Sequence, residues 1–87
     1  MHAVVVRVTV SNREAAEQRL RDAVVPQVAS TPGFQAGYWT RAGDSGLSMV
    51  IFDSEENARA QAERVPTTIP EDVHLEGVEV REVVASA

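Results

Sequence analysis

The chain has 87 residues, 44% of them hydrophobic and 24% charged, a composition that suits one globular domain over residues 1–87 and excludes disorder, collagen and coiled coil. It contains no cysteine, which removes disulfides, thiolate nucleophiles and cysteine metal sites together. The net charge is −5 and all eight basic residues are arginines scattered along the chain, so no basic patch is expected and nucleic acid is not an expected partner.

The first element is a strand. Val4, Val6, Val8 and Val10 alternate with Val5, Arg7 and Thr9, a period of two in β-branched residues with one fully apolar face. The run Ala3–Val10 is too short to span a bilayer and is interrupted by Arg7, so a cytoplasmic protein is expected, without a membrane partner. Ser11 and Glu14 have capping-box spacing, and Ala16, Leu20, Ala23 or Val24, and Val28 then recur at helical intervals, so a helix is predicted from near Asn12. Pro26 removes a backbone donor inside it and predicts a kink or break, with the helical path over before Pro32 and Gly33.

Phe34–Arg41 reads as a second strand, joined by the turn-forming segment Ala42–Gly46 to a third at Leu47–Phe52. Asp53 is the predicted cap of a second helix, with Glu56 at the reciprocal position and an apolar stripe of Ala58, Ala62 and Val65. Pro66 and Pro70 bracket a loop, and Val73–Val84 is the fourth strand, in which Gly77 marks a switch of apolar phase and predicts a bulge. Strand, helix, strand, strand, helix, strand is the order of an α+β, ferredoxin-like βαββαβ fold: a four-stranded antiparallel sheet, in the order four, one, three, two, with two helices on one face.

Side-chain alternation assigns Val4, Val6, Val8, Val10, Phe34, Tyr38, Leu47, Met49 and Ile51 to the helix side. Val5, Arg7, Thr9, Trp39, Arg41, Ser48, Val50 and Phe52 are assigned to the other. A bare sheet face carrying Trp39, Phe52, Val5 and Val50 is a larger apolar patch than a monomer leaves exposed. A domain of this length buries only roughly 60% of its unfolded surface. Both arguments predict a homodimer through that face, with Arg7 and Arg41 pairing carboxylates such as Glu76 or Glu79 at the rim.

Pro32-Gly33-Phe34 after the first helix, the hairpin, and Phe52-Asp53-Ser54-Glu55-Glu56 at the second helix form a layout that resembles the dimeric α/β-barrel superfamily. Within it, the chain is similar to the antibiotic-biosynthesis-monooxygenase-like (ABM-like) domains over essentially its whole length. The resemblance implies sheet-on-sheet dimers and a pocket between each sheet and its own helices. It also implies either oxidation of aromatic polyketide-like molecules without metal or flavin, or haem degradation. Haem-degrading members use an asparagine on strand one, a tryptophan opening helix two and a histidine within it. Here strand one has no asparagine, Phe52 stands at the helix opening, and residues 54–65 contain no histidine.

Few side chains offer chemistry. Tyr38, placed in the helix-side pocket, is a candidate to hydrogen-bond a ligand oxygen, or a buried tyrosine with a structural partner. His74 is a candidate base, but it has no second histidine at motif spacing, and a surface or strand-edge residue is the favoured reading. His2 is terminal and uninformative. Trp39 with Arg41 could clamp an anionic aromatic ligand, against the alternative of dimer packing. Glu55, Glu56, Glu63, Glu71 and Asp72 read as a solvated acidic surface, and Gly43 and Gly46 do not form a phosphate loop. No metal site and no cofactor is expected. Two classes therefore remain: a dimeric binding protein for a small apolar or aromatic molecule, without a catalytic set, and a cofactor-independent monooxygenase.

Overall fold

The structure, a computed structural model, describes residues 1–70 and 72–87; Glu71 of the expected acidic surface lies outside them. In chain order the elements are β1 (His2–Val10), α1 (Arg13–Arg19), a π-helical turn (Leu20–Val24), α2 (Val25–Ala29), β2 (Phe34–Ala42), β3 (Ser45–Phe52), α3 (Glu55–Thr68) and β4 (Val73–Glu82). The strands form one antiparallel sheet in the order β2-β3-β1-β4. With the helices against one face, this is the ferredoxin-like fold expected from the sequence.

Local chemistry sets the helix boundaries. Asn12 caps α1, its side chain accepting from the Ala15 amide, while Ser11 instead donates its hydroxyl to the Asp72 carbonyl. No break occurs at Pro26. The helical path widens to π geometry immediately before it and resumes as α2 with Pro26 in its first turn, a position where a missing N–H costs little. Ser54, one residue later than expected, caps α3 by accepting from the Asn57 amide, and Asp53 accepts from the Asn57 side chain at 2.9 Å. The predicted loop after Val65 is helical: α3 runs through Pro66 to Thr68. Thr67 and Thr68 donate to the carbonyls of Arg64 and Val65, which closes the last turn. In the first turn, the Arg59 guanidinium hydrogen-bonds Glu55 and holds its carboxyl below the usual range.

Pro32-Gly33-Phe34 is a structural device. Gly33 has φ +81°, its carbonyl accepts from the Asp53 amide at 2.9 Å, and a Cβ there would collide with the Asp53 and Asn57 side chains. This glycine therefore locks the start of β2 to the cap of α3.

Residues paired directly across antiparallel strands share a face. The helix side thus carries the rows Gly37–Val50–Val4–Val80, Trp39–Ser48–Val6–Val78 and Arg41–Gly46–Val8–Leu75. The open side carries Ala36–Ile51–Ala3–Arg81, Tyr38–Met49–Val5–Glu79 and Thr40–Leu47–Arg7–Gly77. The phase assigned to β1 is observed, and those assigned to β2 and β3 are reversed. Tyr38, Leu47, Met49 and Ile51 lie on the open side, and Trp39, Arg41, Ser48, Val50 and Phe52 lie under the helices.

The reason is a register shift between Phe34 and Ala36. Phe34 does pack into the core, but the period of two does not carry through Gln35, so every later residue of β2 changes side. In β3 both faces are apolar, so alternation contained no information about which one is inside. The bulge expected near Gly77 is present. Arg7 pairs with Gly77 and Val8 with Leu75, which leaves Glu76 unpaired and returns Val73, Leu75, Val78 and Val80 to one side.

The core is gathered at one end of the sheet. Val4, Val28, Val50, Phe52 and Ala58 form its buried cluster, with Phe34, Trp39 and Val80 among the side chains packed on it. Phe52 is fully buried and meets Phe34 edge-to-face with centroids 6.4 Å apart. Phe52→Ala should therefore cost about 3–5 kcal/mol in urea unfolding, a large part of the stability of so small a domain, whereas Val84→Ala, at a position 87% exposed, should change stability by less than about 0.5 kcal/mol.

Candidate functional site

Away from the core cluster the helices do not close on the sheet. No residue of α1 or the π-helical turn is buried, and α2 buries only Val28. The cause lies in side-chain size. The floor is largely valine with Gly46 and Ser48, and Ala16 and Ala23 line the cleft from the helix side. These groups are too small to span the gap between a helix and a sheet. The result is a cleft of about 640 Å³, open to solvent, with Val4, Val6, Val8 and Val10 along its floor and Leu20, Val24 and Val65 on its walls. That volume is in the range of small-molecule sites.

Among the described residues Trp39 is the one large aromatic group lining the cleft. A Cβ on Gly37 would lie 2.8 Å from two carbons of the indole, so the six-membered ring lies over the bare backbone of Gly37, two residues back on the same face. The neighbour across the strand is Ser48, whose small side chain leaves the indole room. Arg41, next on that face, forms an ion pair with Glu17 of α1 at 2.6 Å, not with a carboxylate of β4.

The sequence-predicted site residues fall in three places. Trp39 and Val50 line the cleft, and Phe52 is buried in the core beside it. These three are thus unavailable as the dimer contacts they were expected to make. Tyr38 is 66% exposed on the open sheet face and cannot reach the cleft. His74 lies on that same open side of β4, its Nε2 3.7 Å from Glu76 Oε1, with Glu76 also accepting from Thr9. Tyr38 and His74 stand on the two edge strands of the sheet, and the fold does not bring them together. Val5 alone keeps its expected side; it is buried, flanked across the strands by Met49 and Glu79. Among the described residues no three His, Asp or Glu side chains are grouped to hold a metal, and no helix is long and apolar enough to cross a membrane.

Arginines that are scattered in sequence converge in space: Arg13, Arg19, Arg21, Arg41 and Arg64 all line the cleft, and Glu17 is the only described carboxylate among its lining residues.

The chain matches no family model, and a search of curated proteins finds no significant match.

The placement of the indole makes a direct prediction. Gly37→Ala would force the ring off the strand, and the near-ultraviolet circular dichroism of the single tryptophan should change while the far-ultraviolet spectrum is kept; an unaltered near-ultraviolet spectrum would contradict the close approach.

Proposed function

We propose that the protein is an ABM-like member of the dimeric α/β-barrel superfamily that binds a small apolar or aromatic molecule in the cleft between its sheet and its helices. The observation that carries this reading is the 640 Å³ opening over a valine floor with Trp39 at its side. A stacking surface on an apolar floor favours a planar, hydrophobic ligand. Among the described lining residues the hydroxyl of Ser48 has no histidine to activate it and Glu17 is held by Arg41, which supports binding without chemistry. The opening to solvent favours one further reading, a cofactor-independent monooxygenase for an aromatic or polyketide-like substrate, and oxygen uptake during ligand titration separates the two.

The neutral probe N-phenyl-1-naphthylamine tests the binding. Excited through Trp39, it should show saturable emission at one probe per chain. Val8→Phe, which fills the floor, should weaken the signal about tenfold, the order expected for a lost apolar contact of 1–2 kcal/mol. No saturable emission from the folded protein would defeat the reading.

The same proposal includes a homodimer through the open sheet face, with corrected residues. Tyr38 and Met49 are 66% and 43% exposed there, beside Leu47, and the β1–β4 half of the face is already neutralised by Arg7–Glu79 and Arg81–Glu79 pairs. A two-fold axis lets one such patch cover another, and the small core gives that burial a purpose. Light scattering at micromolar concentration should give twice the chain mass of 9.4 kDa, and Met49→Lys should give the single-chain mass. A single-chain mass for the unaltered protein would remove the dimer.

A further inference from the structure

We infer that the ligand of the cleft is an organic anion, an apolar or aromatic body carrying a carboxylate or similar acidic group; this rests on the binding reading above and adds the chemical class. The observation is a charge reversal. The chain as a whole carries −5, with thirteen acidic residues against eight arginines. Yet five of the eight arginines line one cleft, and among the described lining residues a single carboxylate, Glu17, accompanies them.

The five are not equivalent. Arg41 is tied to Glu17 at 2.6 Å, Arg19 to Asp72 at 3.2 Å and Arg13 to Asp44 at 3.9 Å. Arg21 and Arg64 make no ion pair among the described residues; both are exposed, and they line the cleft from two separate helical segments, the π-helical turn and α3. Guanidinium groups at the rim of an apolar cavity have one chemical use that lysine or a neutral amide meets less well. They present a planar fork of donors to a carboxylate while their stems cover apolar surface. The apolar floor beneath lowers the local dielectric, which strengthens the attraction for an anion seated at the rim. In a protein of negative net charge, such a site also concentrates the local positive field at the entrance and draws anions to it.

Two ligands of the same shape decide the matter: 2-naphthoate and methyl 2-naphthoate, titrated into the full chain by isothermal calorimetry at neutral pH and low salt. The carboxylate should bind about tenfold or more tightly than the ester, the range of one charge-assisted hydrogen bond, and added sodium chloride should weaken the carboxylate alone. In the double variant Arg21→Gln/Arg64→Gln the preference should fall to within about threefold, with ester affinity kept. Arg59→Gln, on the same helix but outside the cleft lining, should leave the preference intact. Equal binding of acid and ester by the unaltered protein overturns the inference and leaves the apolar binding reading standing. Absence of heat with both overturns the two together. A preference that survives the double substitution, in protein whose circular dichroism is unchanged, removes Arg21 and Arg64 from the role.

Discussion

The pairing of β1 with β3 and β4 is the constraint on which the rest of the molecule depends. It places Val4 beside Val50 on one side and Val80 on the other, and from that row the faces of the side chains follow by alternation as far as the two register shifts. Two irregularities keep the arrangement apolar where it must be. The shift between Phe34 and Ala36 lets Phe34 and Trp39 share the helix side although one number is even and the other odd. The bulge at Glu76 does the same for Leu75 and Val78. Without the two shifts, β2 would have to turn out either Phe34 or Trp39, and β4 would have to turn out either Val73 and Leu75 or Val78 and Val80.

Where side chains are large, this frame closes; where they are small, it does not. Phe52, Phe34 and Val28 draw the helices onto the sheet at one end. Toward Val8 and Val10 the helices supply Ala16 and Ala23 over a floor containing Gly46 and Ser48, and a hollow remains. The cleft is a consequence of residue volume along a regular fold.

The fold was legible in the sequence because its signals are local. Period-two valines, a capping signal at Ser11 and Glu14 one residue from the observed cap at Asn12, turn residues within Ala42–Gly46 and an expected bulge at Gly77 each act within a few residues. The faces of β2 and β3 were not legible for the opposite reason. Gln35 has nothing in its identity that marks it as the residue at which the register shifts, and Leu47, Met49 and Ile51 are as hydrophobic as Val50 and Phe52, so only the cross-strand register sorts them. The neighbouring glycine was the available signal for Trp39. A Gly-x-Trp spacing on a strand offers bare backbone on the same face as a large ring. Convergence of arginines was beyond any linear reading, because Arg21 and Arg64 belong to different helices and Arg41 to an edge strand.

A domain this small that leaves a hollow under its helices and an apolar strip on its bare face has forgone core on both sides of its sheet. Native stability in this size range is small, roughly 0.05–0.15 kcal/mol per residue, so neither omission is energetically trivial. Each also defines what would compensate for it. A ligand that binds only the folded chain adds RT ln(1 + [L]/Kd), about 2.7 kcal/mol at a hundredfold excess over Kd, and association through the sheet adds a concentration-dependent gain of the same kind. The two surfaces are separated only by the thickness of one sheet: Val4, Val6 and Trp39 face the hollow, and Val5, Tyr38 and Met49 face away. Neighbours along one strand thus serve opposite sides, so packing that rigidifies one face also orders the residues that carry the other. If the proposed ligand and the proposed second copy both bind, linkage through this shared sheet allows each to raise the affinity of the other by reducing the ordering that remains to be done.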